Sequence, residues 1–189
     1  MMLADSDRTR RTTVDGVTDA IVLVTDGSTP ARNFAERITA NGRTGLYVVH
    51  ADERTTVMSP QERLAYDSDE PVLDPVALLD GGTLRAASTL AFAISPTPFG
   101  LPSNVKGWID RTLAPGLAFQ LDERTQRMRP GLVHLDRLVG IDVGDSSGDS
   151  RGARRIIGRA VRVACRPTIR VKWFGPRRFG AAHDGLCRW

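Results

Sequence analysis

The chain has 189 residues, of which 41% are hydrophobic and 25% are charged, and its formal net charge at pH 7 is +4. This length suits a single domain that buries an adequate hydrophobic core. Because no apolar run approaches the roughly 20 residues of a membrane-spanning helix, the sequence argues against an integral membrane protein. Residues 1–16 are polar and charged, which predicts a flexible tail rather than a secretory signal.

The two cysteines, Cys165 and Cys187, are far apart in the sequence and match neither a metal-ligand spacing nor a dithiol motif. We therefore predict no metal site and interpret both residues as buried or incidental thiols. Because such thiols are typical of a reducing compartment, the expected location is the cytoplasm.

The first predicted element is a buried strand at residues 20–24 (AIVLV), whose unbroken apolar sequence is typical of a central parallel strand. Turn-forming residues follow, and Ser28 or Thr29 can cap a helix that begins near Pro30. Backbone N–H groups and hydroxyls at the start of such a helix can bind a phosphate. A simple helix cap is the alternative interpretation of the same residues.

Residues 45–50 (GLYVVH) predict a second strand. The stretch 51–75 is rich in acidic residues and has no clear period, so we expect a long irregular connection. Residues 75–87 predict a helix, although Gly81 and Gly82 lie in its middle and lower its helix propensity.

A third buried strand is predicted at residues 90–94 (LAFAI). The chain then leaves the sheet, because two prolines that cannot donate ladder hydrogen bonds follow, together with Gly100, which permits a sharp turn. An amphipathic helix begins near Pro102, and its apolar positions recur at helical spacing. These positions are Val105, Trp108, Ile109 and Leu113. We interpret Trp108 as a residue of the core.

Residues 138–143 (LVGIDV) predict a fourth strand, followed by a Gly/Ser-rich loop at 144–150. Apolar residues within 153–164 then recur with the strongest helical period of the chain. The other positions of this helix are rich in arginine: Arg151, Arg154, Arg155, Arg159, Arg162 and Arg166. A solvated basic face is the default interpretation, and a bound anion or an acidic neighbour is the alternative. Residues 168–174 alternate apolar and charged side chains, which predicts an edge strand.

The segment 95–119 has the sequence SPTPFGLPSNVKGWIDRTLAPGLAF. A proline- and glycine-rich loop with one aromatic residue precedes KGWIDR at 106–111 and PGLAF at 115–119. This order resembles the flavodoxin-like NAD(P)H:quinone and flavin oxidoreductases. Pro98 stands where that family has an aromatic residue, and the loop is one residue shorter.

The resemblance implies FMN or FAD as the cofactor, NADH or NADPH as the hydride donor and a quinone-like small molecule as the acceptor. No catalytic side chain is predicted, because the flavin carries the hydride. The implied cofactor-binding residues follow three strands: Ser28, Thr29, Arg32 and Asn33 after the first, Pro96, Thr97, Pro98, Phe99 and Gly100 after the third, and Gly144, Ser146, Ser147 and Gly148 after the fourth.

The five strands and the helices between them predict an α/β fold, namely a flavodoxin-like, doubly wound parallel sheet of order 2-1-3-4-5 with helices on both faces. The resemblance also implies a small hairpin at 120–130. We expect the domain to cover residues 17–175. Residues 176–189 are short and rich in glycine, so we predict an irregular C-terminal tail in place of the closing helix of the family. Ligands bind such sheets where the strand order reverses, here between the first and third strands.

Several departures from the family favour an alternative, a protein of the same fold with weak or no flavin binding that serves as a tailoring enzyme or accessory subunit. They are the altered loop at Pro98, the acids Asp145 and Asp149 in the third loop, and the lack of Tyr or His between residues 140 and 174. A further alternative, nucleic-acid binding, rests on the eleven basic residues and one acid from 151 to 189. We do not expect it, because the interleaved aromatic residues of nucleic-acid-binding modules are missing.

The resemblance also implies a homodimer, because the family completes its active site across a two-fold interface. The apolar run Leu117, Ala118 and Phe119 directly follows a helix stop and could lie at that interface. The charge is also asymmetric, since residues 151–189 carry +10 and the rest of the chain therefore carries −6. The rival is a monomer in which Phe119 folds back onto its own sheet.

Overall fold

The computed structural model of the chain describes residues 19–54, 57–66, 74–98, 100–122, 124–125, 127–144 and 150–188. The predicted N-terminal tail, residues 1–16, lies outside these ranges. The strands are β1 (Ile21–Thr25), β2 (Leu46–His50), β3 (Thr89–Ile94), β4 (Phe119–Asp122), β5 (Arg127–Pro130), β6 (Arg137–Asp142) and β7 (Arg170–Phe174). The α-helices are α1 (Thr29–Ala40), α2 (Pro60–Leu64), α3 (Pro75–Ala86), α4 (Ser103–Thr112), α5 (Arg151–Ile156) and α6 (Phe179–Arg188).

Five strands form one parallel sheet of order β2-β1-β3-β6-β7. The predicted order is confirmed, since β6 and β7 are the fourth and fifth strands of the sheet and β4-β5 form a separate antiparallel hairpin. Every residue of β1 and β3 is buried, as their unbroken apolar sequences require, whereas β7 at the edge has exposed residues. Strands β1 and β3 are neighbours, so the strand order reverses between them.

Helices cover both faces of the sheet. On one face, apolar residues of α3, α4 and α5 join the core around β3, and Trp108 packs against Phe92 with 6.1 Å between ring centroids. On the other face, Phe34 and Ile38 of α1 and Leu186 of α6 form a second buried cluster. None of the described helices is long and apolar enough to cross a membrane.

The predicted irregular tail at residues 176–189 is wrong. Residues Pro176–Arg178 form a short 3-10 helix, and α6 then packs on the sheet with Ala182 and Leu186 fully buried. Arg43 ties the end of this helix down by donating to the Leu186 carbonyl (2.8 Å). Burial of an apolar face and this hydrogen bond outweigh the low helix propensity of the glycines. Helix α6 therefore covers this face of the sheet.

Helix α3 is continuous through Gly81 and Gly82, although the sequence predicted a weakened helix. Gly81 is explained by packing, because a Cβ atom there would lie 3.0 Å from both methyl groups of Leu117. The Asp74 carboxylate caps the helix by accepting from the N–H groups of Val76 (2.8 Å) and Ala77 (3.2 Å).

The expected irregular connection at residues 51–75 contains a 3-10 helix, Ala51–Glu53, and the short helix α2. The sequence does carry a signal for α2: Ser59 and Glu62 form a capping box, with Pro60 in the first turn. Helix α2 has only five residues, which is too short to produce a helical period of apolar residues in the sequence.

The segment that connects α4 to the hairpin is buried within the chain. Leu117 and Ala118 belong to the core, and Phe119 packs against it. The Ala118 carbonyl accepts from Gly131 N–H (2.8 Å), which fixes the base of the hairpin. These residues consequently do not form the exposed apolar run that the dimer argument assumed.

Candidate functional site

Three loops meet where the strand order reverses. We call them loop 1 (residues 26–28, after β1), loop 2 (95–102, after β3) and loop 3 (143–150, after β6). The hydroxyl oxygens of Ser28 and Ser95 lie 3.2 Å apart, which joins loop 1 to loop 2. Gly144 of loop 3 lies beside Ser95, because a Cβ atom at Gly144 would be 3.7 Å from the Ser95 Cα. Parallel sheets bind ligands at this position.

Asp26 organises the meeting of loops 1 and 2, and sequence reasoning did not select it. Its Oδ1 accepts from the Ser28 N–H (3.0 Å) and the Ser28 hydroxyl (2.6 Å), and its Oδ2 accepts from the Ser95 N–H (2.6 Å). Asn104 of α4 donates to the Asp26 carbonyl (2.7 Å). The signal in the sequence was the Asp-Gly-Ser turn, since aspartate often accepts from the backbone two residues on.

Arg32, a predicted cofactor ligand, is held by acidic residues instead. Its guanidinium donates to Asp52 (2.7 Å), Glu53 (2.9 Å) and the Gly27 carbonyl (3.1 Å). The hydrogen bonds to Asp52 and Glu53 raise the pKa of Arg32. Gly27 is required here, because it adopts φ +78° and the Asp52 side chain leaves no room for a Cβ atom.

The start of α1 does not fit a flavin phosphate. The Ser28 N–H is satisfied by Asp26, and Pro30 offers no N–H to an anion. The Asp26 carboxylate lies within the loop and the Asp52 side chain packs against Gly27, and this negative charge would repel a phosphate. The two remaining predicted residues of this element, Thr29 and Asn33, are exposed on α1.

Loop 2 is a tight turn that packs against α5. Thr97 and Gly100 exchange backbone hydrogen bonds of 2.9 and 3.0 Å, and Gly100 adopts φ +124°, which favours glycine. A Cβ atom at Gly100 would lie 3.1 Å from the Ile156 Cδ1. Pro96 precedes this turn and Pro98 stands exposed at its tip, whereas the predicted flavin contact Phe99 lies outside the described residues.

Asp142, at the end of β6, holds both ends of loop 3. Its Oδ1 accepts from the Gly144 N–H (3.0 Å), and its carboxylate also bonds the Ser150 side chain. Burial raises the pKa of Asp142, and the hydrogen bonds of Gly144 and Ser150 oppose that rise only in part. The predicted contacts Ser146, Ser147 and Gly148 lie outside the described residues.

Other reactive groups are few in the part of the chain that the structure describes. There, no group of three or more His, Cys, Asp or Glu side chains could hold a metal ion. Burial raises the pKa of the Cys165 thiol to about 12, so this cysteine is protonated and unreactive at neutral pH.

The chain is similar in structure to several redox enzymes. An NAD(P)H:quinone oxidoreductase from Methanothermobacter marburgensis matches 90% of this chain and 96% of its own, with 18% identity and a TM-score of 0.59. An azoreductase from Bacillus anthracis matches 90% and 100%, with 9% identity and a TM-score of 0.64. An FMN-dependent NADH-azoreductase of the same species, in complex with FMN, matches 89% and 100%, with 11% identity and a TM-score of 0.57.

The chain has the flavodoxin-like fold. At these low identities the likeness establishes the fold, and the chemistry has to be argued from the site. No protein-family model and no curated protein sequence matches the chain.

Proposed function

We propose that the chain is a flavin-dependent NAD(P)H oxidoreductase that reduces a quinone or a related small-molecule acceptor. The observation that carries this proposal is the meeting of loops 1, 2 and 3 at the reversal of strand order, with Ser28 and Ser95 hydroxyls 3.2 Å apart. The solved structures of similar fold include quinone and azo-compound reductases, which supports redox chemistry at this position.

The redox chemistry of such an enzyme belongs to the flavin, FMN or FAD, and the chain supplies binding and orientation. In this proposal the turn closed by the hydrogen bonds between Thr97 and Gly100 would support the flavin ring, and backbone N–H groups of loop 3 would bind its polar edge, as the resemblance implies. Because the start of α1 does not fit a phosphate, we expect the flavin to be held weakly and to exchange with solution.

The test is a titration of the purified chain with FMN and with FAD, followed by flavin fluorescence. We expect saturable quenching, and oxidation of NADH or NADPH that depends on both added flavin and a soluble naphthoquinone. Absence of saturable quenching with either flavin would contradict the proposal.

A second candidate is a flavodoxin-like protein that acts without flavin, as a tailoring enzyme or accessory subunit. The hydrogen bonds of Asp26 in loop 1 and of Arg32 on α1 favour it, since both side chains already bind other parts of the chain. An absorbance spectrum in the visible range, recorded before and after incubation with flavin and removal of the excess, separates the two candidates. A bound flavin makes the protein yellow, and a colourless protein after incubation supports the second candidate.

We also propose that the chain is a homodimer. Exposed apolar side chains are concentrated on α2 and α3, where Leu64 is 88% exposed and Leu79 is 69% exposed. Large exposed apolar patches often mark interfaces, and an obligate dimer would bury on the order of 2,000 Å² or more. Light scattering should give twice 20.6 kDa for the wild type. The variant Leu79→Glu should be a monomer, whereas Val163→Glu, which changes a 64% exposed valine elsewhere, should leave the dimer intact.

A cytoplasmic location completes the proposal. It is supported by Cys165, whose buried thiol is not in a disulfide and which a reducing compartment would keep in that state. Fractionation of cells that express the untagged chain tests it, and recovery outside the cytoplasm would contradict it.

A further inference from the structure

A groove of about 680 Å³ lies between the tip of loop 2 and one face of α5. We call it the α5 groove. Helix α5 continues into the π-helical segment Ile157–Val161, so the groove extends over about two turns. Its lining consists of a proline, two glycines and four arginines: Pro98, Gly152, Gly158, Arg151, Arg154, Arg155 and Arg159. The lining residues between positions 151 and 159 have the spacing of one face of a helix.

The α5 groove carries positive charge that the described part of the chain does not neutralise. Within the described ranges, no carboxylate forms an ion pair with Arg154, Arg155 or Arg159. Arg155 and Arg159 are four residues apart, and like charges at this spacing repel each other on a helix. A bound anion would relieve the repulsion.

The glycine at position 158 keeps this face open. A Cβ atom at Gly158 would meet no atom within 4 Å, so packing does not require a glycine there. Glycine also lowers helix stability relative to alanine. The absence of a side chain leaves room for a ligand between the arginine side chains. Gly158 lies in the π-helical segment, and such segments are frequent at functional sites.

The α5 groove and loop 1 differ in the charge that they present. Loop 1 contains the Asp26 carboxylate and lies beside Asp52, and the neighbouring Arg32 on α1 is already paired with Asp52 and Glu53. The α5 groove has planar guanidinium groups, which match phosphate oxygens in pairs. The two sites share loop 2, because Ser95 contacts loop 1 and Pro98 lines the groove.

We propose that the α5 groove binds the phosphate group of a nucleotide ligand through Arg154, Arg155 and Arg159. The choice of a nucleotide rests on the proposed function, in which FMN or NADPH is the phosphate-bearing molecule. The binding site for phosphate thus lies on α5, away from the start of α1.

The direct test uses inorganic pyrophosphate and isothermal titration calorimetry on the full chain. We expect the wild type to bind, and the double variant Arg155→Gln/Arg159→Gln to bind at least about tenfold more weakly, because it loses charge-assisted hydrogen bonds. The variant Gly158→Leu fills the groove with a good helix former and should abolish binding while the protein stays folded. Arg170→Gln removes an exposed arginine at the start of β7, at the opposite end of the sheet, and should bind as the wild type does.

Two ligand pairs then identify the source of the phosphate. A wild-type preference for FMN over riboflavin, lost in the double variant, assigns the groove to the flavin. A preference for NADPH over NADH, lost in the same way, assigns it to the dinucleotide. The proposal is overturned if the wild type shows neither preference, if the double variant keeps it, or if Arg170→Gln loses it equally.

The same measurements separate this proposal from the proposed function. One outcome is turnover that depends on flavin while the groove variants keep the wild-type preference for the phosphate-bearing ligand. That result would overturn the phosphate site and leave the proposed function standing. NADPH and pyrophosphate binding at the groove in a protein that shows no flavin quenching would overturn the flavin function and support the groove.

Discussion

The Oδ2 atom of Asp26 lies 2.6 Å from the backbone nitrogen of Ser95, which fastens the end of β1 to the end of β3. The other carboxylate oxygen, Oδ1, is occupied by Ser28. A single buried side chain therefore sets the relative position of two of the three loops at the candidate site.

Replacing Asp26 with alanine should destabilise the protein by roughly 2–5 kcal/mol, because the N–H groups of Ser28 and Ser95 lose a charged acceptor. Urea denaturation measures this cost. Asp110→Ala is the matched control, since Asp110 forms an exposed pair with Lys106, and we expect it to cost about 1 kcal/mol or less. Equal costs for the two variants would show that Asp26 does not fasten the loops.

Trp108→Ala should cost roughly 3–5 kcal/mol, because the indole is buried against Phe92 and its Nε1 donates to Asp80 (2.8 Å). Trp108→Phe keeps an aromatic ring and leaves Asp80 with Arg54 as its partner, so a smaller loss of about 1–3 kcal/mol is expected. Thermal denaturation of both variants provides the comparison. A Trp108→Ala protein that is fully stable but inactive would instead make the tryptophan a ligand contact.

Arg111→Met should cost roughly 3–5 kcal/mol, because the buried guanidinium pairs with Glu62 (2.7 Å) and Asp74 (3.2 Å), and both carboxylates would lose their partner. Lys106→Met on the same helix breaks an exposed pair and should cost less than about 1 kcal/mol. Denaturant unfolding curves of the two variants distinguish a buried network from a surface pair. A similar small effect of both substitutions would contradict the burial of this pair.

The same cluster predicts a loss of stability in acid. Burial alone would raise the pKa values of Glu62 and Asp74, but hydrogen bonds from backbone N–H groups and from Arg111 outweigh burial and lower both values. Their contribution is therefore present above the unfolded-state pKa values of about 4 and is lost as the pH falls through the lower folded-state values. Between neutral pH and pH values below about 4, the free energy of unfolding of Arg111→Met should fall less than that of the wild type. If the stability of Arg111→Met and that of the wild type change with pH in parallel, the prediction is wrong.

Asp142 should show the opposite pH dependence. Burial raises its pKa in the folded protein, so its favourable contribution is present below the unfolded-state pKa and is lost as the pH rises through the folded-state pKa. Asp142→Asn retains an oxygen to accept from Gly144 and should be at least as stable as the wild type at pH 7. That advantage should disappear in acid. Destabilisation of Asp142→Asn at pH 7 that disappears in acid would instead indicate that the ionised carboxylate is required to hold loop 3.

The sheet and the central helices were predictable from the sequence, because their signals are local. The unbroken apolar runs of β1 and β3 place both strands in the interior, and the helical spacing that includes Val105 and Trp108 defines the buried face of α4. The order of the strands followed from the resemblance carried by residues 95–119. The sequence likewise indicated three loops at one edge, since the ends of neighbouring parallel strands meet there.

Only the tertiary structure decided how the side chains of those loops are used. Asp26 and Ser95 are 69 residues apart, and Arg32 finds its partners some 20 residues away, so neither pairing leaves a local pattern. Helix α6 forms because its apolar residues meet the sheet, which propensity alone could not indicate. The sequence thus determined which residues are buried in regular elements, through periodicity. Whether a loop side chain is available to a ligand or bonded to another part of the chain depends on contacts between residues far apart in the sequence. Those contacts are set by the folded structure.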